Sequence, residues 1–110
     1  MKDLYFTITG MNYRYGNEFL ENGMKVKLVK EPDNDYDKEA IAVELKPLGK
    51  IGYVANSTKT VVGECFSAGR LYDKIGDKAT AVIMMVIPGS AIALVIDDDS
   101  DKEKKSKKKK

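Results

Sequence analysis

The chain has 110 residues, 43% of them hydrophobic, with a single cysteine and no histidine. That is enough for one domain with an ordinary core and no internal disulfide. The absence of histidine removes the commonest general base and the commonest metal ligand, which excludes hydrolytic triads and zinc sites of the usual kinds.

The net charge of +2 is unevenly placed. Residues 97–110 hold seven lysines and five acidic residues, and removing these from the totals of 19 basic and 17 acidic leaves 12 of each. The remainder is neutral, so a cationic surface for phosphate backbones has to come from arrangement and not from excess. No charged segment followed by an apolar one opens the chain, and with its lone thiol a reducing, cytoplasmic setting is expected.

In chain order, Leu4, Phe6 and Ile8 alternate with Tyr5, Thr7 and Thr9, which predicts a strand over 4–9 ended by Gly10. The loop that follows runs Met11-Asn12-Tyr13-Arg14-Tyr15-Gly16-Asn17. Two tyrosines around an arginine suit stacking on a base beside a phosphate, and they equally suit lip residues that cover a core. Met24, Val26 and Leu28 alternate with Lys25 and Lys27, predicting a second strand over 24–30.

Glu31-Pro32 is then extended, because the proline ring excludes the helical well for the residue before it. Asp33, Asn34, Asp35, Tyr36 and Asp37 follow, a turn with more hydrogen-bonding capacity than a plain connection needs. Asn34 and Asp37 have two readings: they hold the turn by accepting from its backbone N–H groups, or they face a ligand. Ile41, Val43 and Leu45 mark a third strand over 40–46, and the Lys46–Lys50 turn leads to a fourth over 50–54, so the two pair as a hairpin.

Asn56 or Ser57 caps an expected helix with Val61, Val62, Cys65 and Phe66 on its apolar face, weakened by Gly63. Cys65 is expected there as a small buried hydrophobe. A second short helix holds Leu71, Tyr72 and Ile75 and stops at Gly76. Residues 79–96 carry no charge, a length close to a membrane span, but Pro88-Gly89-Ser90 splits them into two β-branched runs. They read as strands over 79–87 and 91–96. Residues 97–110 contain no apolar side chain and are expected to form a disordered tail after a domain at 1–96.

Taken together, EPDN-x-YD-x-x-AIAVEL followed by IGYV resembles the HIRAN domain, and the likeness covers most of residues 3–96. It implies a mainly β fold, a small six-stranded antiparallel β-barrel of OB-like type with two short α-helices. It also implies a DNA-binding module for single-stranded DNA or free 3′ ends in DNA repair or processing, beside a helicase or nuclease partner. No catalytic residue, cofactor or small-molecule substrate is implied. By matching position the contacts are Tyr13, Asn34, Tyr36 and Asp37, with Tyr53 where end-binding members carry a histidine. Asn12 and Arg14 flank Tyr13, whereas end-binding members place an arginine at the position of Asn12. A phosphate-binding lysine after the Gly-Tyr pair is also replaced in Val54-Ala55-Asn56-Ser57.

Two other readings compete. Asp33, Asp35, Asp37 and Glu44 stand at relative positions 1, 3, 5 and 12 of a calcium loop. Lys38 replaces the glycine that such a loop needs, however, and the flanks have strand periodicity, so no metal is assigned. A protein-interaction module using the barrel mouth as a peptide groove is the alternative function.

Overall fold

In a computed structural model, residues 3–11, 16, 18–57 and 59–98 are described. The predicted strands form close to their expected places: β1 Tyr5–Thr9, β2 Lys25–Lys30, β3 Ile41–Leu45, β4 Gly49–Val54, β5 Lys78–Ile87 and β6 Ser90–Asp98. The pairings between these strands are antiparallel, and they close a barrel in the order β1-β4-β3-β2-β5-β6. The alternating residues Phe6, Ile8, Val26, Leu28, Ile41, Val43, Ile51, Ile83 and Ala93 turn inward and make the core.

The β3–β4 and β5–β6 hairpins pair as the turn residues predict. The last hairpin continues farther than its apolar residues, because Asp97 and Asp98 still pair with Thr80 and Ala79. No helix among the described residues is long and apolar enough to cross a membrane.

Among the described residues one short α-helix forms where two were expected. It is α1, Ala68–Tyr72, capped by Ser67, whose side chain accepts from Arg70 N. Ala68 and Leu71 are its buried residues, and the helix ends at Asp73 before reaching Gly76. The helix expected to start near Ser57 is replaced by turns, for two reasons visible in the backbone. Gly63 adopts φ +56°, a left-handed conformation that interrupts the helical ladder. Val62 N donates to the hydroxyl of fully buried Thr7, and Phe66 N donates to Tyr5 O, so N–H groups a helix would use internally tie this segment onto β1. Cys65 accordingly stays half-buried and is not the buried hydrophobe the helical face implied.

Thr7 shows why strict alternation fails on β1: the crossing segment covers the outer side of the strand as well. Gly52 has a similar origin. A Cβ at this position would lie 2.6 Å from Thr9 O and 3.0 Å from Met11 Cγ, so β1 and β4 approach as closely as they do only because the side chain is absent.

Candidate functional site

The register brings separate parts of the chain to one end of the barrel. Lys30 pairs with Ile41, so residues 31–40 form the β2–β3 connection at that end. Tyr53 pairs with Ala42 on one side and with Thr9 on the other. The end of β1 therefore stands next to the tyrosine that follows Gly52. Asn12, Tyr13 and Arg14, expected as contacts from the first loop, lie outside the described residues.

Within the 31–40 connection, Asn34 is the organising residue. Its Oδ1 accepts from Tyr36 N at 2.8 Å and Asp37 N at 3.0 Å, while its Nδ2 donates to Glu31 Oε1 at 3.1 Å. This is the turn-holding role, and among the described residues it leaves the amide one free N–H. The Asp37 carboxylate is shared between two donors, with Oδ1 accepting from Glu39 N at 2.9 Å and Oδ2 from Asn56 Nδ2 at 2.9 Å. A carboxylate oxygen accepts about two hydrogen bonds, so each still has capacity for a further donor. The phenol of Tyr36 is 98% exposed, held out by a backbone whose N–H groups are already satisfied.

Tyr53 is anchored by partners that the loop motif does not reveal. Its hydroxyl donates to Glu31 Oε1 at 2.8 Å and accepts from Lys50 Nζ at 2.8 Å, and Lys50 forms an ion pair with Glu31 Oε2 at 2.6 Å. Burial opposes the charge on Glu31, but hydrogen bonds from Lys50, Asn34 and Tyr53 together outweigh it and hold the carboxyl below its ordinary range. The hydrogen bond to Glu31, and then that to Tyr53, holds the Lys50 ammonium above its ordinary range. Asn34, Glu31, Tyr53 and Lys50 thus form one network that fixes the connection against β4.

Asn34, Tyr36, Asp37, Ala40, Tyr53 and Val54 line an open cavity of about 390 Å³. All four expected contacts among the described residues meet there. The volume lies in the range of small-ligand pockets, and the lining offers aromatic surface beside a carboxylate. No group of three or more metal-ligating side chains comes together among the described residues. Asn56, Glu31 and Lys50 are members of the site that the sequence pattern missed. The available signal was Lys50, three residues before Tyr53, and Asn56, three residues after it.

The HIRAN domain family model matches residues 1–84. A search of curated proteins finds no match. The fold is similar to the crystal structure of the HIRAN domain of human HLTF, with a TM-score of 0.57 and 19% identity. That match covers 92% of this chain and 80% of the human one. A loop built on Asn34 and Asp37, a tyrosine anchored after Gly52, and a closed six-stranded barrel all agree with the family match over most of the chain, and the chain belongs to the HIRAN domain family.

Proposed function

We propose that this domain binds single-stranded DNA at the end of the barrel and takes a free 3′ end into the Asn34–Tyr36–Asp37–Tyr53 cavity. The HIRAN domain is a DNA-binding module, not a catalytic one, which supports a binding role. The observation that carries the finer reading is the cavity itself: an Asp37 carboxylate, preset by Glu39 N and Asn56, beside the almost fully exposed ring of Tyr36.

In this reading Tyr36 stacks on the terminal base, which any base permits. Tyr13, by its place in the family motif, does the same from the first loop. Asp37 accepts a hydrogen bond from the 3′-hydroxyl. A 3′-phosphate would bring like charge to the same spot, so one carboxylate selects between the two ends. Asn34 and Tyr53 hold the cavity walls. The domain would thereby deliver a strand end to a helicase or nuclease partner in DNA repair or processing.

Chemical-shift mapping with a short single-stranded oligonucleotide tests the placement. Perturbations should centre on Tyr36, Asp37 and Tyr53. Perturbations confined to another face, or none at all, would refute it.

A further inference from the structure

A second and larger cavity, of about 760 Å³, is lined in part by Asn56, the partner of Asp37. Its lining includes Asn56, Gly63, Glu64, Phe66, Ser67 and Arg70. Asn56 links the two sites without lining the first, because its Nδ2 holds Asp37 of the first cavity while its Oδ1 accepts from Gly69 N of α1 at 2.8 Å. The Arg70 guanidinium lies over the Phe66 ring, 4.6 Å from its centre, and makes no ion pair among the described residues. Stacking fixes the plane of the guanidinium and leaves its N–H edge for an acceptor.

We infer that this cavity seats the phosphate of a nucleotide preceding the bound 3′ end, with Arg70 as its cation. The inference rests on the single-strand reading above. A strand whose terminal nucleotide occupies the first cavity has to leave past one of its walls, and the Asp37 wall, through Asn56, leads to an arginine that has no carboxylate partner among the described residues. Arg70 thereby supplies from α1 a phosphate contact like the one lost where a lysine is replaced after Tyr53. Asp3 and Glu64 also line the cavity. Their charge makes it a poor site for a free anion, so the phosphate is held only when the adjoining base and 3′-hydroxyl are already anchored.

The test is a salt titration of the full chain with a single-stranded oligothymidylate ending in a 3′-hydroxyl, and again with one ending in a 3′-phosphate. Arg70→Gln should weaken binding of both strands about three- to tenfold, the range for an exposed charge-assisted contact. It should lower the salt slope by about 0.7, the value for one phosphate contact on a single strand, and leave the ratio between the two ends unchanged. Arg70→Lys should keep the slope. Glu64→Gln should tighten binding about two- to threefold by removing a like charge. If the wild type binds neither strand, the strand reading itself fails. If the wild type binds but Arg70→Gln changes neither affinity nor slope, the phosphate site is overturned and the strand reading stands. Should Arg70→Gln not fold, unchanged binding by Glu64→Gln overturns the site.

Discussion

Replacing Gly52 by alanine tests whether the approach of β1 to β4 sets the barrel end that carries Tyr53. The added Cβ would lie 2.6 Å from Thr9 O, 3.0 Å from Met11 Cγ and 3.2 Å from Ile8 Cγ2. A carbon–oxygen contact relaxes at roughly 3.3 Å, so the strands have to part by about 0.7 Å at a place where they are hydrogen-bonded. Overpacking of this kind costs about 1–3 kcal/mol. Alanine recovers about 0.5–1 kcal/mol of the conformational entropy that glycine loses in a strand. With each term at the middle of its range the net loss is about 1 kcal/mol, which for a domain of this size lowers Tm by roughly 4–8 °C. Gly69→Ala is the control, because its Cβ would lie 2.7 Å from Glu39 Oε1, the far end of a side chain that can rotate away. With better helix propensity in α1, that variant should be neutral or up to about 1 kcal/mol more stable. Urea and thermal denaturation of both variants decide the matter. Equal stability of Gly52→Ala and wild type would refute the close-approach argument.

Other expectations follow from the same contacts. Glu31→Gln should change the acid limb of stability. The carboxyl pKa is depressed in the folded chain, so its contribution is present above its ordinary value of 4.5 and is lost as pH falls through the lower folded value. The Lys50 pKa is raised, so its contribution is complete below 10.5 and is lost as pH rises through the higher folded value. Urea midpoints across pH should show wild type and Glu31→Gln converging at the acid end, and parallel curves would refute the network. Tyr36→Ala should leave the melting temperature unchanged and weaken both hydroxyl-ended and phosphate-ended strands by about 1–3 kcal/mol in a fluorescence titration. Truncation after Asp98 should spare the barrel, since β6 ends there, and should lower nonspecific DNA affinity and its salt slope because the lysine excess is removed. Loss of the fold, or unchanged binding, would contradict that expectation.

The strands were legible because their information is local: one buried face writes period two into residues such as Val26, Leu28, Val43 and Ile51. The 31–40 connection was legible for a similar reason, since its Asx turns are closed by Asn34 on its own neighbours. The missing helix was not, because what defeats it is distant. Thr7, 55 residues before Val62, takes the N–H that a helical ladder would have used. The site divides along the same line. Asn34, Tyr36, Asp37 and Tyr53 were readable as residues of a motif. The Glu31–Lys50–Tyr53 anchor and the Asp37–Asn56–Gly69 bridge exist only after β3 and β4 pair and α1 docks. Helical spacing even suggested Asn56 as a cap, and it does accept from a helix N–H. The helix it serves begins eleven residues later than the spacing implied.

The central claim, that Asp37 reads a free 3′-hydroxyl, is tested most directly by comparing one single strand with a 3′-hydroxyl against the same strand with a 3′-phosphate, using wild type and Asp37→Ala. Wild type should prefer the hydroxyl end. Asp37→Ala should lose about 1.5–3 kcal/mol on the hydroxyl-ended strand, the worth of a hydrogen bond to a charged group, while binding of the phosphate-ended strand stays level or improves. Equal affinity of the wild type for the two ends would contradict the claim and leave Asp37 as a residue that holds its loop to Asn56.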